Sequence, residues 1–233
     1  MFDTERPPSS NTGGQLLIDE NELAERINNT KAYVFDWDGV FNDGVKNTNG
    51  SSSFSDIDSM GVNMMRFCHF LRTGSNPISC IITGENNVDA FTFAKRESFH
   101  SVYYGVKTKT EALQHLCDSY GLKPSEITFF FDDILDLCVA KLVGTRIMCS
   151  RKCNPLLNQY VIERGMADYI TQFPGGEHAV REATELLIGA TGLYDAVLDN
   201  RVANSEAYRT YLAERNAHQP AFYTVKDSEI IKQ

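Results

Sequence analysis

The sequence predicts an α/β fold in which a doubly wound, mostly parallel β-sheet is covered by helices on both faces. Short, continuous apolar runs alternate along the chain with amphipathic stretches of helical period. Continuous apolar runs are typical of strands that are buried on both faces, and their alternation with helices favours parallel pairing. Acidic or hydroxyl side chains follow several of these runs, so ligands are expected at the carboxyl ends of the strands.

The elements can be predicted in order along the chain. A short amphipathic helix between residues 16 and 27 leads into the apolar run AYVFDWD at residues 32–38. Further strands are predicted at 78–83, 101–104, 127–131, 145–149 and 169–171. Helices are predicted at 61–71, 88–96, 110–120, 134–142 and 155–164, then after Gly176 to about residue 188. A polar helical tail is expected at about 193–216.

One segment interrupts this alternation. Residues 42–58 read NDGVKNTNGSSSFSDID, with turn-forming residues between two brief strand-like pieces. We therefore predict a β-hairpin flap directly after the first strand. The chain as a whole divides into a flexible leader at 1–14, a main domain at 15–190 and a C-terminal helical extension at 191–233, whose apolar positions could dock on the core or on a neighbouring chain.

Composition excludes several classes of protein. The 233 residues are 42% hydrophobic and 23% charged, which is ordinary for a globular protein and unlike a disordered chain. The net charge of −9 argues against nucleic acid and anionic membranes as partners. No apolar run approaches the ~18 residues that span a bilayer, and no export signal is evident. The six cysteines are scattered in apolar contexts, so we expect reduced thiols and a cytoplasmic location.

Polar side chains of the kinds that bind Mg²⁺ or phosphate follow four of the predicted strands. They are Asp36 and Asp38, then Thr83, then Lys109, and finally Asp132 with Asp133. Carboxylates from two strands suit Mg²⁺, while a hydroxyl and an ammonium group suit the oxygens of a phosphoryl group. Taken singly, each feature also has a structural explanation as a turn, a helix cap or a solvated lysine. Their common position at strand ends favours one shared site.

The order of these residues resembles that of the haloacid dehalogenase (HAD) superfamily of phosphotransferases. The motifs FDWDGVFNDG, ITGE, YYGVKTKTEAL, FDDILD and PGGEHAVREA are similar to those of the 3-deoxy-octulosonate 8-phosphate phosphatases and their nonulosonate 9-phosphate relatives. The match extends over about residues 32–188. It implies a Rossmann-like, HAD-like sheet with a minimal cap, and a Mg²⁺-dependent phosphomonoesterase that acts on a small phosphorylated sugar acid.

The resemblance also implies a role for each matched residue. Asp36 is the nucleophile that forms an aspartyl-phosphate, and Asp38 is the general acid and base. Mg²⁺ is held by Asp36, the Asp38 backbone carbonyl and Asp132, with Asp133 and Asp136 as weaker candidates. The phosphate-binding positions are matched by Thr83, Gly84 and Lys109. Gly175 and Gly176, with Arg181, match a glycine-rich loop near the active site.

Substrate choice is less closely defined by the motifs. Octulosonate phosphatases have Arg after the Thr-Gly pair, whereas the nonulosonate type has Glu there and Lys eleven residues later. This chain has Glu85 and Arg96, which weakly favours a nine-carbon or other sugar acid phosphate; equally, Glu85 could cap a helix and Arg96 could be solvated. Phe131 stands where relatives have Gly, and it could narrow the pocket.

Relatives assemble as tetramers, so a homotetramer is expected, with contacts through the hairpin. Two alternatives to a phosphatase remain at this point. One is a non-catalytic regulatory or binding protein on the same fold, and the other is a phosphotransferase that uses an alcohol acceptor.

Overall fold

The computed structural model describes residues 13–227 and 229–233. Most of the predicted flexible leader, residues 1–12, lies outside the described residues. Gly14, at the end of that segment, donates a backbone hydrogen bond to the Tyr169 hydroxyl at 3.1 Å. The described chain therefore begins in contact with the sheet.

A single sheet runs through the described part of the chain. Its strands are β1 (Gln15–Leu16), β2 (Ala32–Phe35), β3 (Ile78–Ile82), β4 (Ser101–Tyr103), β5 (Ile127–Phe131), β6 (Thr145–Ser150), β7 (Tyr169–Pro174), β8 (Ala221–Lys226) and β9 (Glu229–Lys232). They lie in the order β1-β7-β6-β5-β2-β3-β4-β8-β9. The pairs from β7 to β8 are parallel, and the terminal strands β1 and β9 pair antiparallel. The predicted mostly parallel α/β sheet is confirmed.

Helices connect the strands and cover the sheet. They are α1 (Glu20–Asn29), α2 (Asp56–Thr73), α3 (Val88–Arg96), α4 (Lys109–Tyr120), α5 (Leu137–Ala140), α6 (Pro155–Glu163), α7 (Ala179–Ala190), α8 (Tyr194–Val202) and α9 (Glu206–Asn216). Side-chain caps define several starts; Asn87, for example, accepts hydrogen bonds from the first amides of α3. Within residues 13–227 and 229–233, none of the helices has the length and apolar character needed to cross a bilayer.

The core lies on both faces of the sheet, as continuous apolar strands require. In β5, Phe130 packs into one hydrophobic cluster, while Phe129 and Phe131 point to the opposite face and join a second cluster. The rings of Phe129 and Phe131 stack with centroids 5.7 Å apart. Phe131 is therefore a buried core residue, and its ring does not line the candidate cleft described below.

The predicted hairpin flap is wrong. Residues 42–55 contain no strand and form an irregular loop that ends at the first turn of α2. Side chains in this loop bond to nearby backbone amides, as Asn47 and Asn49 both do to the Ser51 amide. Such local bonds compete with strand pairing. The Ser51 hydroxyl also donates to Asn87 Oδ1 at 2.8 Å, which ties the loop to the start of α3.

The C-terminal segment is only partly helical. Helices α8 and α9 occupy the region where a helical tail was predicted, but β8 and β9 follow them and extend the sheet beside β4. The prediction of a C-terminal helical extension at residues 191–233 is therefore corrected to two helices followed by two strands. The run AFYTVK carries aromatic and β-branched residues, which favour strands when a neighbouring edge is available for pairing.

Candidate active site

A cleft of about 520 Å³ lies at the carboxyl ends of the parallel strands. It is lined by residues that follow β2, β3, β4, β5 and β6, because the parallel pairing brings these strand ends to one edge of the sheet. The predicted site residues that line it are Asp36, Asp38, Thr83, Gly84, Glu85, Lys109, Asp132 and Asp133. The structure thus gathers into one cleft residues that are up to about a hundred positions apart in sequence.

Lys109 is held between two buried carboxylates. Its Nζ donates to Asp36 Oδ1 at 2.6 Å and to Asp136 Oδ1 at 2.5 Å. Burial alone would lower the pKa of Lys109, but the two carboxylates raise it above the ordinary value, so the ammonium group is charged. Burial also raises the pKa of Asp36, with Asp136 acting in the same direction and Lys109 opposing it.

Three carboxylates form a group that fits a metal ion. Asp36, Asp132 and Asp136 each present an oxygen atom, and these oxygens lie within 4.8 Å of one another. Burial and the neighbouring Asp36 raise the pKa of Asp132, while Arg151 opposes this shift. Hard carboxylate oxygens are the ligands that Mg²⁺ prefers, and a divalent cation would relieve the repulsion within the group. The donor set therefore suits Mg²⁺.

Asp133 does not belong to this carboxylate group. Its Oδ1 accepts a hydrogen bond from the Ile134 amide at 2.7 Å and caps the short 3-10 turn at Ile134–Asp136. The structure brings Asp136 into the group in its place, because this turn directs the Asp136 side chain back to the strand end. Predicting Asp133 as a metal ligand is therefore not supported by the geometry.

Asp38 lies at the mouth of the cleft. One of its oxygens is ion-paired with Lys46 from the irregular loop, and the other is buried without a hydrogen-bond partner. The next residue, Gly39, has a φ of +85°, and a Cβ atom there would lie 2.1 Å from Asp132 Oδ2. A glycine is required at this position for the backbone to pass so close to Asp132.

Thr83 follows β3 on the other side of Asp36. It is buried, and its hydroxyl accepts a hydrogen bond from the Glu85 amide at 3.3 Å. Gly84 and Glu85 are exposed at the edge of the cleft. Thr83 contributes a hydroxyl group and Lys109 an ammonium group to the cleft, both next to the Asp36 carboxylate.

Arg96 lies outside the cleft. Its guanidinium is ion-paired with Asp56 at 2.5 Å and with Glu97 at 3.3 Å, and it lies over the Phe54 ring. The predicted role of Arg96 in substrate binding is thus not supported in this chain. Arg96, at the end of α3, pairs with Asp56 on α2 and with the adjacent Glu97, and it does not line the cleft.

Two further cationic residues at the site were not predicted from the sequence. Lys46 contacts Asp38, and Arg151 contacts Asp132. Arg151 directly follows β6, so its position at a strand end was a usable signal. Lys46 carried no such signal, since it lies in the loop that was predicted to be a hairpin.

The glycine-rich loop after β7 packs against the loop that carries the site. A Cβ atom on Gly175 would lie 2.1 Å from the Gly39 backbone oxygen and 2.5 Å from that of Asn42. The loop thus supports the backbone that follows Asp38. Arg181 lies farther along, where its guanidinium pairs with Glu185 at 2.7 Å.

The parallel sheet with acidic residues at the ends of β2 and β5 is the fold of the HAD-superfamily hydrolases. A chain from Legionella pneumophila assigned to subfamily III A of that superfamily superimposes with a TM-score of 0.65 at 26% identity, covering 78% of this chain and 95% of that one. No protein-family profile matches the chain.

Within that superfamily the chain is similar to 3-deoxy-D-manno-octulosonate 8-phosphate phosphatases, which confirms the predicted resemblance. It is 27% identical over 183 residues to the Escherichia coli K12 protein, covering 75% of this chain and 87% of the relative. The Salmonella typhi protein is 29% identical over 174 residues, and the match covers 73% of this chain and 85% of the relative. The Moraxella catarrhalis phosphatase, crystallised with magnesium, phosphate and KDO, has a TM-score of 0.64 at 28% identity, with 77% and 98% covered.

Proposed function

We propose that this protein is a Mg²⁺-dependent phosphomonoesterase that hydrolyses a small phosphorylated sugar acid through an aspartyl-phosphate intermediate. The observation that carries the proposal is the position of Asp36, a buried carboxylate bonded to Lys109 and grouped with Asp132 and Asp136. The relatives that the chain resembles are named as phosphatases of an eight-carbon sugar acid phosphate, which supports this reaction and this class of substrate.

The metal ion would be held by Asp36, Asp132 and Asp136, with the Asp38 backbone carbonyl as the further ligand that the resemblance implies. Mg²⁺ supplies charge neutralisation between the anionic nucleophile and the anionic phosphate. The magnesium ion in the Moraxella catarrhalis structure supports this choice of cofactor.

The residues of the chain divide the chemistry between them. Thr83 and Lys109 bind the phosphate oxygens and orient the phosphorus toward Asp36. An Asp36 oxygen forms a bond to phosphorus as the ester P–O bond breaks, and Asp38 gives its proton to the departing alkoxide. Asp38 then takes a proton from water, whose oxygen attacks phosphorus and releases Asp36 and inorganic phosphate.

Phosphorylated sugar acids of eight or nine carbons are the substrates we expect. A cleft of about 520 Å³ is large enough for a metabolite of this size. Glu85, at the edge of the cleft, stands at a position where the nonulosonate type also has Glu. Arg96 does not contribute to the choice, because it is paired with acidic residues elsewhere.

The test is phosphate release from octulosonate, nonulosonate and neutral sugar phosphates, with Mg²⁺ or EDTA, by wild type and by Asp36→Asn. Wild type should release phosphate only with Mg²⁺, and Asp36→Asn should lose at least about a thousandfold in rate because it lacks a nucleophile. The free energy of unfolding should change little, because Asn has nearly the volume of Asp and Lys109 keeps Asp136 as its counter-ion.

Asp56→Asn is the matched control, since Asp56 is exposed and lies outside the cleft. It should keep wild-type activity. Full activity in Asp36→Asn would refute the nucleophile. Silence of wild type on every substrate, with Mg²⁺ still bound, would favour the regulatory alternative. Phosphate transfer to added glycerol in excess of hydrolysis would favour the phosphotransferase.

We also propose that the protein is cytoplasmic and forms a homotetramer, as the resemblance implies. The loop at 42–55 contains no strand, so a contact by strand pairing through a hairpin is not expected. Exposed apolar side chains beside the cleft, Ile134, Leu135 and Leu156, support such a contact. Light scattering should give about four times the chain mass of 26.2 kDa. A monomer at micromolar concentration would contradict the tetramer.

A further inference from the structure

Arg151 is a cationic residue of the cleft to which the proposed reaction assigns no task. The cationic residues that line the cleft, within the described part of the chain, are Lys107, Lys109 and Arg151. Lys109 is enclosed by Asp36 and Asp136, and it serves the phosphate. A phosphorylated acid carries a second anionic group, which needs a cation of its own, and Arg96 does not reach the cleft.

The order of the strands separates Arg151 from the phosphate donors. Thr83 and Lys109 follow β3 and β4, on one side of the central strand β2 that carries Asp36. Arg151 follows β6, which lies two strands away on the opposite side, or about 10 Å at the usual strand spacing. Arg151 therefore approaches the cleft from the side opposite to the phosphate donors.

The contact between Arg151 and Asp132 engages the Nε atom of the guanidinium. Arg151 Nε lies against Asp132 Oδ2, and the two side chains form an ion pair. The missing side chain of Gly39 leaves room for this guanidinium, since a Cβ there would lie 2.0 Å from Arg151 Nη2. The Arg151 side chain is 26% exposed, so a ligand can reach it from the cleft.

We propose that Arg151 is the specificity-determining residue that binds the substrate carboxylate. This inference rests on the proposed function. Before metal binds, Arg151 is the counter-ion of Asp132. Once Asp132 ligates a metal ion, its carboxylate no longer depends on Arg151, and the planar guanidinium is free to donate two parallel hydrogen bonds to a carboxylate. The cleft then selects phosphorylated acids over neutral sugar phosphates.

The kinetic test compares a phosphorylated sugar acid with a neutral hexose 6-phosphate at saturating Mg²⁺. In Arg151→Gln, KM for the acid should rise about tenfold to a hundredfold, the loss expected for hydrogen bonds between charged groups, while kcat changes little. KM for the neutral substrate should be unchanged. For Arg151→Lys, KM for the acid should lie between the values for wild type and Arg151→Gln, because lysine keeps the positive charge but cannot donate two parallel hydrogen bonds from a planar group. Lys152→Gln, an exposed neighbour outside the cleft, is the matched control.

Calorimetry separates this inference from the proposed reaction. With Mg²⁺ present, wild type should bind 3-deoxy-octulosonate, which has a carboxylate and no phosphate, and Arg151→Gln should bind it at least about tenfold more weakly. Both binding results are expected even if wild type hydrolyses no phosphate ester. Three outcomes would overturn the assignment. In calorimetry these are unchanged binding of the acid by Arg151→Gln, or no binding by wild type. In the kinetic test it is an equal increase in KM for both substrates. A separate Mg²⁺ titration of each variant should show that metal binding is retained.

Discussion

His100 is a buried histidine whose ring serves as a hydrogen-bond acceptor. The Ser79 amide donates to His100 Nδ1 at 3.1 Å, which requires that nitrogen to be unprotonated. The ring lies 4.6 Å from His218 and contacts Tyr120 edge-on. Burial lowers the pKa of His100 to about 3, and the nearby Arg66 and His218 act in the same direction. The native protein therefore keeps this ring neutral at pH values where an unfolded chain would charge it.

The stability of the protein should consequently fall as the pH falls below about 6.5. There the unfolded chain takes up a proton on His100 and the native state does not, so each pH unit costs about 1.4 kcal/mol per such histidine. In His100→Gln, the slope of unfolding free energy against pH between 6.5 and 5 should be smaller by about this amount. Urea unfolding at several pH values measures the slope.

His69 offers a parallel variant for this test. It is buried, and burial with the nearby Arg72 lowers its pKa to about 4. His69→Gln should therefore reduce the slope by a similar amount, and the double variant by about twice as much. The carboxylates of the cleft titrate equally in all these proteins, so their contributions cancel in the comparison. An unchanged slope in His100→Gln would show that the native ring is protonated.

Single residues of the site were predictable where their position depends on the backbone. Asp36, Thr83 and Asp132 directly follow buried strands, so the parallel sheet alone brings them together. Long side chains were less predictable, because their reach exceeds the spacing between elements. Arg96 turns to Asp56 on α2, and Arg151 reaches Asp132 on the neighbouring strand. The spacing of residues in the sequence predicts neither of these ion-pair partners.

At the scale of elements, the contact between α9 and α2 attaches the C-terminal segment to the main domain. Tyr211 on α9 is fully buried, and its ring packs against Phe67 and Phe70 of α2. Its hydroxyl donates to the Asn63 backbone oxygen at 3.1 Å. Tyr208, also on α9, donates a second hydrogen bond, to Asn63 Oδ1 at 3.3 Å. Hydrophobic burial and these two hydrogen bonds therefore hold the two helices together.

Tyr211→Ala should lower the free energy of unfolding by about 3–5 kcal/mol, as for other large aromatic side chains removed from a core. Tyr211→Phe keeps the ring and loses only the hydrogen bond, so it should cost about 1 kcal/mol. Urea denaturation of both variants measures these values. Equal and small losses would mean that α9 does not depend on this contact.

Two elements were mispredicted for related physical reasons. The segment at 42–58 has strand-like pieces and turn residues, but its Asn and Ser side chains bond locally and to α3, which replaces strand pairing. The segment at 221–226 follows helices in sequence, and it becomes a strand because β4 offers it a free edge. Strand formation depends on a partner far away in the chain, which a local pattern does not reveal.

At the scale of the whole molecule, the C-terminal segment belongs to the same sheet as the candidate site. Strand β8 lies parallel to β4, and the Tyr223 ring stacks on the Tyr103 ring with centroids 4.9 Å apart. The Tyr104 amide donates to the Tyr223 oxygen at 3.0 Å, just before the loop that leads to Lys109. The C-terminal strands therefore support the backbone that carries the phosphate-binding lysine.

We therefore expect the C-terminal strands and the main domain to unfold together. The single tryptophan, Trp37, is fully buried between Asp36 and Asp38, so its fluorescence reports on the core beneath the site. Hydrogen exchange of the β8 amides reports on the C-terminal strands. Both signals should change at the same urea concentration, because strands of one sheet that share a core lose their contacts together. Loss of β8 protection at a lower concentration would instead identify residues 191–233 as a separately stable unit.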